Sequence, residues 1–288
     1  MAPQRFTVWD LVHDRRRFSL DLATPESAGP VISVALGPGD RTLYAVRIHA
    51  LDQAREEVWD TASGRRTADF AGPTRLHLAV HLDGRLLVGD NGAARLLSDG
   101  GSSDRATSRV CKVKGLGLGL VQGDQIGALA FAAYGSRLAA GDQTGRVALW
   151  DGTLRRREDV LRNVFPQLLD EIPEAVSVVA FSPDGRALAV GGDQGTLQLW
   201  DIPTRQPLGG PLITPGERID TLAFGADSGT LYAGSAHVPL QRCTVAPARV
   251  VPQVCARAGT DLTAAQWRTY IPDVPYRRVC GDAGAGSR

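Results

Sequence analysis

One pattern recurs along the chain and limits the folds open to it. Each copy has a short β-rich run, a Gly-containing turn, a second run ending in small residues, an Asp/Gly turn, and a third run ending near Trp-Asp. The clearest copy is Val176 to Asp201, VSVVAFSPDGRALAVGGDQGTLQLWD, and the copy before it starts at Ile126, IGALAFAAYGSRLAAGDQTGRVALWD. Laid together, Phe131 matches Phe181, Asp142 matches Asp193, and Trp150-Asp151 matches Trp200-Asp201. A weaker copy starts at Val31 and closes on Trp59-Asp60; another starts at Ile219, with Cys243 near the Trp position. The most degenerate starts at Leu76, with Leu97 or Ser98 where Trp would stand. Ahead of these, RFTVWD carries Trp9-Asp10 with no run before it.

Each copy reads as antiparallel strands. The runs are short, rich in Val, Leu and aromatics, and bounded by turn residues. Asp184-Gly185 and Asp83-Gly84 are hairpin signals, because Gly tolerates the positive φ that tight turns demand. Gly-Asp-Asn-Gly at 89–92, Gly-Asp-Gln-Thr-Gly at 141–145 and Gly-Asp-Gln-Gly at 192–195 mark the second turn, where an Asp can tie the backbone just after it. Aspartates 90, 142 and 193 therefore read as turn-formers. Strand-only repeats of about 40 to 50 residues point to propeller blades rather than helical solenoids.

Trp9-Asp10, Trp59-Asp60, Trp150-Asp151, Trp200-Asp201 and the Phe-Ser-Pro-Asp-Gly turn at 181–185 resemble the WD-repeat family. The resemblance implies an all-β β-propeller of four-stranded blades over residues 1–245. Blades fall near 31–70, 76–112, 126–164, 176–212 and 219–245, with N-terminal strands in 5–22. No Gly-His dipeptide precedes any blade, so the family's buried His–Ser/Thr–Asp–Trp network is incomplete here. Two readings of the ring stand open. In one, a strand at 16–22 joins the unit at 219–245 and closes five blades; in the other, further blades lie upstream in a longer polypeptide.

After residue 245 the period changes, and 246–280 reads as a helical tail with a disordered end at 281–288. PARVVPQVCARA is a short helix ending at Gly259, although Pro252 lies inside it. Thr263 with Gln266 is a capping-box signature opening a second helix that carries Trp267 and Tyr270. The stretch CARAGTDLTAAQWRTYIPDVPYRRVC resembles the ending of actinobacterial WD-repeat proteins, some fused to STAND-type signalling ATPases. The expected role of the tail is either a docking element or a plug that packs Trp267 and Tyr276 on the last blade and covers its outer edge. Cys111, Cys243, Cys255 and Cys280 include no CxxC; they read as separate thiols, with a Cys255–Cys280 pair as the alternative.

Searching for reactive chemistry leaves little. His77 and His81 would stand ~13 Å apart on a strand, too far for one ion. His13, His49 and His237 are scattered. GLGLGL at 115–120 lacks the Gly-Lys-Ser/Thr ending of a phosphate loop. Arg15-Arg16-Arg17 and Arg155-Arg156-Arg157 read as solvated strand ends or as contacts to an acidic partner. A net charge of +1 over 288 residues gives no field toward nucleic acid or an anionic membrane. No apolar run reaches a membrane span and no signal peptide is evident, so the expectation is a cytoplasmic, monomeric protein of a GC-rich bacterium. No cofactor and no metal is expected. The functional expectation is a non-catalytic scaffold or sensor that binds a protein through one loop face. Asn91, Gln143, Gln194 and His237 would cluster there, and Phe165 and Leu168 of the connection 165–175 would either anchor a partner or pack down on the blade. The alternatives are a hydrolase with its site in a central channel, and a truncated fragment without independent function.

Overall fold

The computed structural model describes residues 4–10, 13, 15–23, 29–50, 53–73, 77–81, 86–89, 94–98, 109–112, 125–166 and 172–280. Asp83-Gly84, the turn at 90–93, the GLGLGL run and residues 281–288 lie outside them. Among the described residues, period-2 runs become strands in six antiparallel sheets. The first is a hairpin of β1 (Arg5–Asp10) and β2 (Arg15–Asp21). Three sheets follow of four strands each. They are β3–β6 (Val31–Leu36, Thr42–Ala50, Gln53–Asp60, Arg65–Pro73), β7–β10 (His77–Val80, Leu86–Gly89, Ala94–Ser98, Arg109–Lys112) and β11–β14 (Ile126–Phe131, Arg137–Asp142, Val147–Asp151, Arg157–Leu161). The next sheet is β15–β18 (Val176–Phe181, Ala187–Gly192, Leu197–Asp201, Gln206–Pro207), and the last has three strands, β19–β21 (Thr221–Phe224, Thr230–Gly234, Gln241–Thr244).

Successive sheets touch through their first strands: β3 lies against β7, β7 against β11, β11 against β15 and β15 against β19. Their facing sides form the core. Between β11–β14 and β15–β18, Ala128, Ala139, Leu149 and Leu161 pack with Val179, Phe181, Leu188 and Trp200. Burying an aliphatic side chain of this kind contributes about 1.5–3 kcal/mol.

The Trp-Asp pairs do two separate jobs. Trp59, Trp150 and Trp200 are buried, whereas Trp9 is 54% exposed. Each following Asp ties the turn into the fourth strand. Asp60 accepts from the Ser63 N–H (2.7 Å) and hydroxyl (2.5 Å), Asp151 from Thr153 (3.0 and 2.7 Å), and Asp201 from Thr204 (2.8 and 2.5 Å). These bonds, the hydroxyl's first, hold all three carboxyls below the usual Asp range. Asp10 sits in the same way at the end of β1 and accepts from the His13 N–H at 3.2 Å.

The N-terminal hairpin corrects one reading of the ring. β2 pairs with β1, not with the last sheet, and β21 pairs with β20 alone among the described residues. Leu20 and Leu22 pack instead on Leu43, Ala45 and Trp59 of the β3–β6 sheet. Beside them lies a buried ion pair. Arg47 Nε donates to Glu57 Oε1 at 2.8 Å and both side chains are essentially inaccessible. The remaining guanidinium nitrogens donate to Gln4 Oε1, the Gly29 carbonyl (3.0 Å) and the Leu22 carbonyl (2.6 Å). Trp59 Nε1 donates to Glu57 Oε2 at 3.1 Å, which ties the indole into the same polar cluster.

The tail forms two helices, α1 (Pro247–Ala258) and α2 (Ala264–Tyr270). Pro252 is accommodated inside α1, and Gly259 ends it at φ 72. Thr263 and Gln266 complete a capping box on α2. The expected plug is corrected in its packing. Trp267 is buried edge-on against Tyr276 (5.9 Å between ring centres) and donates to the Val274 carbonyl at 2.7 Å, so the aromatics pack on each other within the tail. The tail meets the last sheet at the β19–β20 turn, where the N–H groups of Val245 and Ala246 donate to the Gly229 carbonyl and Arg249 pairs with Asp227. Cys255 and Cys280 are disulfide-bonded, in place of the separate thiols expected, with Asp261 accepting the Val279 and Cys280 N–H groups.

Candidate interaction face

The turns between second and third strands, and the linkers from one sheet to the next, meet at one end of the sheets. The linker after β14 runs over the β12–β13 turn: the Val164 N–H donates to the Gly145 carbonyl at 3.1 Å. The linker after β18 runs over the β16–β17 turn: Thr214 Oγ1 donates to the Gly195 carbonyl at 2.6 Å, and the Ile219 N–H to the Gly192 carbonyl at 3.0 Å. Turn and linker residues thus share a surface on two consecutive sheets.

The two turns are built differently. At β12–β13 the buried Asp142 ties its own turn, accepting the Thr144 and Arg146 N–H groups (both 2.9 Å) and pairing with the Arg146 guanidinium at 2.7 Å. At β16–β17 the matching Asp193 turns outward and accepts the Ala175 N–H at 3.0 Å. Glu174 from the linker takes over the turn. Its Oε1 accepts the Gln194 N–H (2.9 Å) and the Thr196 N–H (3.0 Å). Gly192 leaves the space for it, since a Cβ there would stand 1.9 Å from Glu174 Oε1. Asp193 therefore anchors the linker, which corrects its expected role as a turn-former for its own hairpin.

Of the residues expected on this face, Gln143, Gln194 and His237 are exposed on the three described turns. Gln143 Nε2 donates to Gln125 Oε1 at 2.9 Å. His237 contacts Glu217 through its N–H (3.2 Å) and Nδ1 (3.0 Å), and that backbone bond lowers the Glu217 carboxyl below its usual range. Phe165 is only 3% exposed and packs in the cluster between β11–β14 and β15–β18, so it is the packed-down alternative that holds for it and not the exposed anchor. Asn91 and Leu168 lie outside the described residues.

Two linker residues that sequence reasoning passed over are the most exposed apolar side chains near these turns: Ile172 at 86% and Ile213 at 90%. Both precede a linker carboxylate, in Ile-Pro-Glu at 172–174 and Ile-Thr-Pro-Gly-Glu at 213–217. That shared spelling was the available signal. Prolines limit the backbone freedom of both linkers. Glu174 pins the first, and Gln241 Nε2, donating to the Ile213 carbonyl at 2.7 Å, pins the second.

His77 begins β7, and burial first, then the Arg218 charge, pushes it down to about 4, so it is neutral near neutral pH. His81 stacks edge-on against Phe131 at 5.1 Å. Among the described residues no three His, Cys, Asp or Glu side chains converge as metal ligands, and no helix is long and apolar enough to cross a membrane.

The strand–turn pattern with its buried Trp200 and turn-tying Asp201 has a counterpart among known families. Residues 168–201 match the family described as WD domain, G-beta repeat. The linker after β14 and strands β15 to β17 are thus similar to a WD repeat. WD repeats generally mediate protein–protein interaction and are typically non-catalytic. No curated protein matches the chain.

Proposed function

We propose that the chain is a protein-binding module whose WD-type sheets are the blades of a β-propeller, and that its partner docks on the face made by the linkers and the turns between second and third strands. The observation that carries this reading is the pair of isoleucines, Ile172 and Ile213, held out on tied linkers above adjacent turns. Apolar side chains on a preorganised surface lose little freedom on binding and gain by desolvation. Gln143, Gln194 and His237 form the polar rim around them. Within a longer signalling polypeptide such a face would serve as a scaffold or sensor, acting as a monomer without cofactor and without nucleic acid or membrane as partner. For the cytoplasmic compartment the Cys255–Cys280 bond sets a condition, because a reducing cytoplasm keeps such pairs as thiols. Differential thiol labelling of the protein taken from its cells reads which state it holds there.

Ile172→Asp and Ile213→Asp test the face. Capture of the native partner from lysate is expected to fall by roughly tenfold or more for each, as for a residue worth over ~1.4 kcal/mol at an interface. Unchanged capture by both variants would remove this face from consideration.

A further inference from the structure

The tail and the sheets are held together by different means. The sheets bury apolar side chains against one another, whereas α1 buries none and α2 buries only Trp267. Val251, Val254, Tyr270, Val274 and Tyr276 are all exposed. The bonds that shape the tail beyond α1 are made inside it. They are the Thr263–Gln266 capping box, the bond from Trp267 Nε1 to the Val274 carbonyl, and those from the Val279 and Cys280 N–H groups to Asp261. The bonds to the β19–β20 turn lie at the start of the tail, at Val245, Ala246 and Arg249.

Contacts of this kind do not order a chain by themselves. Fixing each residue costs conformational entropy, and isolated helices shorter than about 12–15 residues are marginal in water. α2 has 7 residues, and α1, with 12, carries Pro252 inside it. One buried indole does not offset the ordering of the whole span between the cysteines. The disulfide makes up the difference. Joining positions 25 apart restricts the open chain by a factor on the order of a few hundred. Cys255 and Cys280 are both partly exposed, so the bond is within reach of a thiol from solution.

We propose that Cys255–Cys280 is a site of thiol–disulfide exchange with a dithiol reductant, and that the exchange switches the span between the two cysteines from ordered to open while the sheets stay folded. A thiolate of the reductant attacks one of the two sulfurs. The Cys255–Cys280 bond breaks, a mixed disulfide forms, and the other cysteine leaves as a thiolate and takes up a proton. The second thiol of the reductant then loses its proton and attacks the mixed disulfide, which releases the remaining cysteine. Two electrons pass to the protein: the reductant ends as a disulfide, and Cys255 and Cys280 end as thiols. Attack at either sulfur leads to the same products. In the open state Trp267 loses its cover and the backbone around Arg268 uncoils. The start of α1 keeps its bonds to Gly229 and Asp227, so the freed span remains tethered to the last sheet.

The test uses the full chain and dithiothreitol, without denaturant. Labelled thiols are expected to rise by two. Backbone hydrogen exchange in 264–270 and trypsin cleavage after Arg268 are each expected to quicken by about tenfold or more, while exchange in β15–β21 stays as it was. Reoxidation is expected to restore both, and the double variant Cys255→Ser, Cys280→Ser to show the open state without reductant. No gain of thiols, or a gain that leaves 264–270 as protected as before, overturns the proposal. So does an equal loss of protection in β19–β21, because the bond is then a staple of the last sheet.

Discussion

Two junctions between neighbouring sheets meet the same need by opposite means. Between β11–β14 and β15–β18 the interior of the contact is apolar, alanines against Val179, Phe181 and Leu188, with the Arg205–Asp159 ion pair (2.8 Å) toward its solvent side, and Trp200 Nε1 donates to the Val164 carbonyl at 3.3 Å. Between the β1–β2 hairpin and β3–β6 the apolar patch is smaller, and Trp59 Nε1 reaches the carboxylate of Glu57, itself bound to Arg47. The apolar junction tolerates any well-packed substitute. The charged one fixes a particular neighbour, because Arg47 is satisfied only when Gln4, Leu22 and Gly29 supply their oxygens. A two-stranded piece with little area to bury is held in place by polar bonds that a full sheet does not need.

Cutting the charged junction separates these cases most strongly. Glu57→Leu leaves Arg47 buried opposite no carboxylate and is expected to destabilise the chain by about 3–5 kcal/mol in urea unfolding. The double variant Arg47→Met, Glu57→Leu is expected to recover much of that loss; a double variant no more stable than the single would mean that the pair is not what holds the hairpin. Leu188→Ala in the apolar junction removes a side chain with no solvent exposure and is expected to cost about 2–5 kcal/mol, with no rescue by any second charge change.

Beyond the sheets the effects become smaller. Thr263→Ala removes the cap of α2 and is expected to cost about 1 kcal/mol, read as greater exposure of Trp267 in its emission while the sheets melt unchanged. The smallest effect is conditional on pH. Asp227 is held down to about 2 by its bonds to Arg249 and to the Gly229 and Thr230 N–H groups. Its folded value lies below the unfolded one near 3.8, so its contribution is complete above pH 4 and is lost as pH falls toward 2. Asp227→Asn is expected to flatten the acid side of the tail's unfolding profile; a profile identical to the parent would show the ion pair to be without weight.

Local chemistry made much of this fold legible in the sequence. Asp184-Gly185, Gly259, and Thr263 with Gln266 each act within a few residues, and each forms the turn or cap that its spelling implies. What depended on partners distant in sequence was not legible. Arg47 and Glu57 become a pair only through strand register. Glu174 displaces Asp193 from its turn because a linker happens to cross it. The same holds for the face. Gln143, Gln194 and His237 follow from turn positions, but the burial of Phe165 and the exposure of Ile172 depend on how the linker lies. The Cys255–Cys280 bond needed a distance, 5.2 Å between Cα atoms, that spacing does not give.

That bond also sets the mechanical route through the end of the molecule. A pull on the chain beyond Cys280 passes straight to Cys255 across sulfur, so the span between the two cysteines, which are 25 positions apart, carries none of the tension. Force arrives at the last turn of α1, travels down that helix, and reaches the β19–β20 turn at Arg249 and Ala246. α2 and its Trp267–Tyr276 contact hang slack beside this line of force.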